Sequence, residues 1–288
     1  MHIHGERWFL QVQAVDGAYY PAPDGVTPTP QYELHAVHES GFPSMRLTDG
    51  CIDATHYVEP NQELNGLVSD TSCVVRWTAD DAIVSYTAVI TTYDDEGNRT
   101  VLDGGIYALN IDPDALATHA ATAMSGYPLL SLDMDPTETR VLAQSYDWEP
   151  NGLAIVYPNH HASTGLGVWI AWEDDGFTTP TYLMANGTQL RWSPDGTRIL
   201  YNYDGIRSIG VGGEGEHLLI EDPEDTRQET RSVSWPTWSP DGTYIAYMVK
   251  TVALRKFKVT YGVFRATETG GDTAEISPDG GSLPRWRN

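Results

Sequence analysis

The sequence is poor in lysine, in cysteine and in long apolar runs. Only three of its 288 residues are lysine, and forty acidic residues against seventeen basic ones give a net charge of −23 at pH 7. This charge argues against nucleic acid and anionic membranes as partners. No apolar run has the length that a bilayer-spanning helix needs. The sequence therefore predicts neither nucleic-acid binding nor insertion into a membrane.

Helical periodicity is also weak along the chain, and the common signatures of catalysis are missing. There is no Gly-x-Ser-x-Gly elbow, no His-Glu-x-x-His pair, no phosphate-binding loop and no Cys-x-x-Cys pair. The sequence leaves open a catalytic pair of carboxylates like that of glycosidases, because such a pair comes together only in the fold. The sequence therefore favours a non-catalytic protein without a cofactor. A carbohydrate-active lyase or hydrolase is the alternative.

What the chain does contain is a repeat. RWSPDGTRILY, residues 191–201, returns as TWSPDGTYIAY, residues 237–247. Pro-Asp-Gly is typical of a turn, since Pro sets φ at one turn position and Gly accepts positive φ at another. The residues after the turn are β-branched and aromatic, as in strands. Each copy therefore predicts a strand, a tight turn and a second strand that is covered on both faces.

Weaker copies follow the same order at residues 74–86 and 132–146, and residues 283–288 repeat only the beginning. One tryptophan per copy at a fixed place indicates a core side chain; these are Trp77, Trp192, Trp238 and Trp286, and Met134 stands where the tryptophan would in its copy. Each copy continues into two further strands. Four antiparallel strands per repeat of this length predict an all-β fold, a β-propeller of four-stranded blades. We expect five blades, and six are the alternative.

The two ends of the chain complement each other. Leu283–Asn288 has the pattern of a first strand without its second, and His4–Gln11 that of a second strand without its first. Joined in one sheet, they would complete a blade and leave no open edge in the ring. Residues 1–288 are therefore expected to form a single propeller domain that is closed by its C-terminal strand.

The Trp-Ser-Pro-Asp-Gly units, together with halves such as YELHAVHESGFPSMRLTDG at residues 32–50, resemble the TolB-type β-propeller repeat. Two copies match strongly, and the resemblance spans most of the chain. It implies a scaffold with an interaction role and a protein or peptide partner; an oligosaccharide is a further candidate. It also implies a periplasmic or extracellular setting, although the cytoplasm stays open. Oligogalacturonate lyases share this repeat type, but the ligand set of their metal has no match here.

Loop lengths separate the two faces of the predicted ring. Turns between first and second strands and between third and fourth strands are short, whereas the other connections are long. Long loops on a rigid scaffold are where binding is usually found. The long connections are residues 16–30, 51–73, 93–104, 146–165 and 222–232. This long-loop face is the predicted binding face, and its candidate contact residues are Tyr19, Tyr20, Tyr57, Tyr93, Tyr146, Trp148, His160 and His161.

Two cysteines, Cys51 and Cys73, flank the longest of these connections. A disulfide between them would close a loop of about twenty residues, contribute roughly 3 kcal/mol and indicate an oxidising compartment. Two unpaired thiols are the alternative. His2, His4 and His38 are weak candidates for a zinc or copper site, because antiparallel pairing could bring them together.

One segment is basic in this acidic chain. Residues 250–265, KTVALRKFKVTYGVFR, hold five of the seventeen basic residues and no acid. The segment could dock an anionic partner or neutralise acidic neighbours, and a solvated strand pair is the alternative.

Overall fold

A computed structural model describes most of the chain, and nearly all of the regular secondary structure in that part is β-strand. The residues it describes are 2–3, 6–20, 29–40, 44–47, 75–77, 83–93, 99–112, 114–115, 118, 127–131, 146–161, 165–255, 258–277, 284 and 286. Among these residues no helix is long and apolar enough to cross a membrane. The predicted all-β class is confirmed.

The chain forms two compact units. The first unit contains Met1–Gln144 and Asn159–Ser163, and the second contains Ser145–Pro158 and Thr164–Asn288. The described strands of both units form five four-stranded sheets, and each sheet follows the order of the chain. Repeated four-stranded meanders are the building blocks of propeller folds.

Two sheets come from the first part of the chain. The first sheet consists of β1 (His2–Ile3), β2 (Glu6–Tyr20), β3 (Thr29–His38) and β4 (Ser44–Arg46). The second consists of β5 (Val75–Trp77), β6 (Ile83–Tyr93), β7 (Arg99–Asn110) and β8 (Tyr127–Ser131). The middle strands are the longest, because runs such as IVSYTAVITTY in β6 are rich in β-branched residues.

Three sheets follow. The third sheet consists of β9 (Asp147–Trp148), β10 (Ala154–His161), β11 (Gly165–Trp172) and β12 (Thr181–Met184), with one 3-10 turn at Glu173–Asp175. The fourth consists of β13 (Thr188–Trp192), β14 (Arg198–Asn202), β15 (Ile206–Gly210) and β16 (His217–Ile220). The fifth consists of β17 (Glu229–Trp238), β18 (Tyr244–Ala253), β19 (Lys258–Thr267) and β20 (Ala274–Glu275).

Strand β14 shows how neighbouring sheets of the second unit pack. Ile199 and Tyr201 belong to a core shared with Val156 and Ile170 of the third sheet. Leu200, which points to the opposite face, belongs to a core shared with the fifth sheet. Both faces of β14 are thus covered, as the sequence predicts, and each fully buried side chain of this size stabilises the fold by about 1.5–3 kcal/mol.

The two strong repeats fold as predicted. In each, Pro-Asp-Gly forms the turn between the first and second strands, and the repeat tryptophans Trp192 and Trp238 are buried. Trp286 is half-buried. The side chain of Trp77 and almost all of residues 132–146, including Met134, lie outside the described part.

The third sheet departs from the prediction. Its first two strands are Asp147–Trp148 and Ala154–His161, so the prediction of a long loop at residues 146–165 is wrong. Trp148 and the turn residues Glu149 to Gly152 stand where Trp-Ser-Pro-Asp-Gly stands in the next two sheets. Trp148, Trp192 and Trp238 are 44 and 46 residues apart, and Trp286 follows after 48. The spacing of the repeat tryptophans is therefore kept in the third sheet, where Glu149 and Asn151 replace the serine and the aspartate of the motif.

The first sheet also contains a strand that the sequence does not predict. His2 and Ile3 pair with Arg7 and Glu6, so β1 occupies the position beside β2 that we expect the C-terminal strand to fill. The sheet therefore has four strands from the N-terminal part of the chain alone.

Candidate functional site

The turns between first and second strands hold their polar groups in closed local networks. Asp195 accepts hydrogen bonds from the Ser193 hydroxyl at 2.6 Å and the Thr197 hydroxyl at 2.8 Å. Ser193 in turn accepts the Arg198 backbone N–H at 2.9 Å. Gly196 has a φ of +72°, which explains why the turn requires glycine there. These groups stabilise the turn and leave little capacity for a ligand.

The fifth sheet repeats this network. Asp241 accepts from the Ser239 hydroxyl at 2.6 Å and from the Thr243 hydroxyl at 2.8 Å. Ser239 accepts the Tyr244 backbone N–H at 2.9 Å. We call this side of the second unit the turn end.

In the third sheet Glu149 occupies the position of the serine. Its carboxylate accepts hydrogen bonds from the Asn151 backbone N–H at 2.8 Å, from the Asn151 side-chain amide at 2.9 Å and from the Leu153 backbone N–H at 3.3 Å. Glu149 is only 8% exposed and lies against Gly196 of the neighbouring turn, where an added Cβ would be 2.8 Å from its Oε1. One carboxylate thus replaces the Ser–Asp pair and fills the space between two turns.

The pKa shifts of carboxyl groups in the described part follow the same pattern. The Thr179, Ser193 and Ser239 hydroxyls lower the pKa values of Asp175, Asp195 and Asp241, respectively. Hydrogen bonding to the charged form favours it. All three carboxyl groups lie in turns, and the hydrogen bonds that lower their pKa values are the ones that stabilise those turns.

Two buried tyrosines have raised pKa values. Burial raises the pKa of Tyr157 well above its ordinary value. Burial also raises the pKa of Tyr201, and its hydroxyl donates to Glu216 Oε1 at 2.7 Å. Arg207 donates to the same oxygen at 3.1 Å, so this trio ties β14 to β15 and to the start of β16.

The first strands β9, β13 and β17 lie next to one another, and single hydrogen bonds link them. Asp147 accepts the Trp192 backbone N–H at 2.9 Å, and Gln189 Oε1 accepts the Trp235 backbone N–H at 2.5 Å. The indole of Trp286 donates to the Thr237 backbone oxygen at 3.4 Å. Trp286 thus contacts β17, which itself contacts β13.

Two of these first strands contain a bulge. Gln189 has a φ of +57° and Trp235 a φ of +54°, and the pairing register shifts at both places. Such conformations strain the backbone by about 1–3 kcal/mol each. Asp147 and Gln189 each accept a hydrogen bond from the next sheet, and this structural role explains why polar residues occur in these strands.

The opposite side of the fifth sheet is different. Strands β17, β18 and β19 stay paired as far as Glu229, Ala253 and Lys258. The fourth sheet reaches this region where Asn202 Nδ2 donates to the Val233 oxygen at 2.8 Å. Residues 229–232 continue past that bond by about 13 Å, at roughly 3.3 Å per residue. We call residues 229–232, 250–255 and 258–261 the projecting end.

One edge of the projecting end is covered by the preceding connection. Asp222 accepts the Val233 backbone N–H at 2.7 Å, and Asp225 accepts the Arg231 backbone N–H at 3.1 Å. The Leu254 N–H donates to the Gln228 oxygen at 2.8 Å. These bonds hold β17 and the tip of the β18–β19 hairpin in place, and the two aspartates bind backbone groups.

The projecting end is basic, unlike the whole chain. Its cations are Arg231, Lys250, Arg255 and Lys258, against one acid, Glu229. Arg231 lies 3.6 Å from Glu229. Lys250, Arg255 and Lys258 form no ion pair with any residue that the structure describes. Leu254, at the tip between these cations, is 43% exposed.

Strand alternation places the cations on definite faces. Lys258 lies opposite Ala253 and Glu229, and Thr251 lies opposite Thr260 and Arg231. Directly opposed residues point to the same side of a sheet. Arg231 and Lys258 therefore share one face, and Lys250, one residue before Thr251, is on the other.

Two predicted contact residues are buried in a sheet. Tyr146, which precedes β9, is 1% exposed, and Trp148 in β9 is 8% exposed. The Trp148 ring also meets the Phe177 ring edge-on, with centroids 5.9 Å apart. The prediction that these two residues belong to an exposed binding face is wrong, because they begin a sheet.

Other predicted residues end strands. Tyr19 and Tyr20 end β2, Tyr93 ends β6, and His160 and His161 end β10. The predicted loops at residues 16–30 and 93–104 are strand at both ends, because their β-branched and aromatic residues extend the pairing.

The predicted disulfide and part of the predicted metal site fall outside the part of the chain that the structure describes. Tyr57, Cys51, Cys73 and His4 lie outside the described residues. His2 pairs with Arg7 in the backbone ladder, and His38 Nδ1 lies 2.8 Å from the Ser40 hydroxyl. In the described part of the chain, no three His, Cys, Asp or Glu side chains form a group that could hold a metal ion.

Comparisons with solved structures agree with the class of fold. The chain is similar to prolyl oligopeptidase B from Galerina marginata, with a TM-score of 0.51 and 11% identity over 97% of this chain and 35% of that chain. It is similar to a putative TolB from Agrobacterium tumefaciens, with a TM-score of 0.47 and 16% identity over 94% of this chain and 88% of that chain.

A third similar structure is the β-propeller domain of the Trilobed protease from Pyrococcus furiosus, with a TM-score of 0.39 and 13% identity over 71% of this chain and 57% of that chain. No family model matches the chain, and no curated protein matches it. At these identities the likeness concerns the fold alone, an all-β array of four-stranded sheets. Function has to be argued from the site.

Proposed function

We propose that the protein is a TolB-like β-propeller that binds a protein or peptide partner without catalysing a reaction. One observation carries the proposal: the fifth sheet extends three paired strands past its neighbour and presents unpaired cations and an exposed leucine at the tip. Rigid sheets that position exposed side chains are well suited to recognition. The turn end, by contrast, uses its polar groups internally.

The proposal modifies the predicted binding face. It keeps the side on which second strands connect to third strands, and it replaces long loops by the extended hairpin of β18 and β19. A periplasmic or extracellular location, expected from the resemblance, is part of the same proposal.

The test compares the wild-type protein with a trimmed variant. In that variant Asn-Gly replaces residues 252–259, which joins the directly opposed Thr251 and Thr260 by a two-residue turn. Both proteins are screened against a displayed peptide library and a glycan array. We expect the wild-type protein to retain peptides that the trimmed variant loses, while both proteins unfold in one cooperative transition. Retention of glycans alone, or of the same peptides by both proteins, would contradict the proposal.

We also propose that the five sheets form one ring of five blades, closed by residues 283–288, which would pair with β2 beyond Arg7, where the pairing of β1 ends. The support is the hydrogen bond from the Trp286 indole to the Thr237 oxygen of β17, since the next first strand would lie beside β17. Deletion of residues 283–288 should then lower the melting temperature and promote association through the opened edge. An unchanged melting temperature and a monomeric truncated protein would contradict closure.

A further inference from the structure

We propose that the projecting end docks a short, extended, acidic peptide segment on the face that carries Arg231 and Lys258, with Arg255 and Leu254 at the tip. The inference rests on the proposed function and specifies the chemistry of the partner. Its first support is charge: the projecting end itself carries four cations and one acid, and the connection along its edge, residues 222–228, adds three acids and one arginine, in a chain of net charge −23.

The second support is that Arg255 and Lys258 form no ion pair in the described part of the chain. Forty acidic residues are available in the chain, yet Arg255 and Lys258 are exposed and form no ion pair in the described part. The nearest aspartates of the preceding connection, Asp222 and Asp225, bind backbone N–H groups of β17. The cations are therefore available to carboxylates from another molecule.

The short range of screened electrostatic attraction favours a short peptide segment as the partner over a membrane or a second copy of the chain. Screening limits electrostatic attraction to about 8 Å at physiological ionic strength. A short peptide that contacts the projecting end interacts mainly with the local positive charge. An anionic bilayer or a second copy would bring a broad negative surface against a protein of net charge −23. Both would meet repulsion from the rest of the molecule.

The face also defines a spacing. Arg231 lies on β17 opposite Thr251 of the middle strand β18. Lys258 lies on β19 opposite Ala253, two residues further along β18. With about 4.8 Å between strands and about 3.3 Å per residue, their Cα atoms are roughly 12 Å apart. Residues i and i+4 of an extended peptide are about 13 Å apart and point to one side. Acidic residues four positions apart would reach both cations.

The probe is the acetylated, amidated peptide Glu-Thr-Val-Thr-Glu-Thr-Val-Thr-Glu with a fluorophore, and its control has glutamine in place of glutamate. Anisotropy titrations use the wild-type protein, a double variant, Arg255→Gln with Lys258→Gln, and Lys250→Gln as the matched control. Lys250 belongs to the same hairpin but to the other face. We expect about a tenfold loss of affinity in the double variant, as two exposed ion pairs would give. Lys250→Gln should change affinity less than twofold.

The following outcomes would overturn the inference: equal losses in both variants, equal binding of the glutamine peptide, or no binding of either peptide. Preferential binding to phosphatidylglycerol vesicles would identify a membrane, and self-association lost in the double variant would identify a second copy; either would also overturn it. If trimming abolishes binding of library peptides that carry no acid, the proposed function stands and only the acidic partner is wrong.

Discussion

The two ends of the fifth sheet both carry polar or charged side chains and use them differently. At the turn end, Ser239, Asp241 and Thr243 satisfy one another within a few residues. At the projecting end, Arg255 and Lys258 have no ionic partner in the part of the chain that the structure describes. Polar groups that bind each other stabilise a fold, whereas charged groups without partners are available for recognition. This difference supports the proposal that the projecting end binds a partner, whereas the turn end stabilises the fold.

The largest expected effect tests how tightly the turn end is packed. Gly270, with a φ of +84°, lies where an added Cβ would overlap the Leu219 backbone oxygen. Gly270→Ala should lower the free energy of unfolding by about 3 kcal/mol or more, from overpacking and backbone strain together. Urea denaturation measures it. Gly152→Ala is the control, because Gly152 has a φ of +78° and no neighbour within 4 Å. Equal losses in both variants would show that strain alone acts.

The next effect concerns the serine of the repeated turn. Ser239 is 3% exposed and both donates to Asp241 and accepts from Tyr244. Ser239→Ala should lower the free energy of unfolding by about 1–3 kcal/mol, because the half-buried Tyr244 N–H and the Asp241 carboxylate both lose a hydrogen-bond partner. Ser232→Ala, at the exposed projecting end, should change it by less than about 0.5 kcal/mol. Similar losses at the two serines would remove the contrast between the ends.

Acid should weaken the turn end. The Ser193 hydroxyl lowers the pKa of Asp195 below its ordinary value of 3.8. A carboxyl group with a lowered pKa in the folded protein contributes stability that is present above the unfolded pKa and is lost as pH falls through the folded pKa. Stability should therefore decline below about pH 3.8. The decline should be shallower in Ser193→Ala, since that variant lacks the main cause of the shift. Identical pH profiles in urea melts would contradict this assignment.

The smallest expected effect is at the projecting end. Exposed cations without partners contribute little to folding, so the double variant Arg255→Gln, Lys258→Gln should change the free energy of unfolding by less than about 0.5 kcal/mol. A loss above about 1.5 kcal/mol would mean that these cations stabilise the fold and are not reserved for a partner.

The sequence predicts the fourth and fifth sheets well because their turns are local. Pro-Asp-Gly with a flanking serine and threonine determines both the turn and the pairing of the strands around it, as the bonds of Asp195 show. The third sheet has the same architecture with different chemistry. Glu149 reaches several donors at once and replaces the serine motif, so a search for that motif misses it. The tryptophan spacing was the signal that could have revealed it.

The candidate site was predictable only in part. The basic composition of residues 250–265 is visible in the sequence. Its geometry is not, because the face of each cation depends on register across three strands, and Arg231 comes from a distant part of the chain. Tyr146 and Trp148 show the reverse case. Their side chains are of the kind that forms binding surfaces, and only the three-dimensional structure shows that a sheet buries them.

Hydrogen exchange of the protein with the glutamate peptide bound tests the contrast between the two ends most directly. Amide exchange should slow at residues 250–260 and stay unchanged at residues 193–198 and 239–244. If protection appears at the turns or along β9, β13 and β17 while the projecting end exchanges as before, the binding surface has been assigned to the wrong end of the molecule.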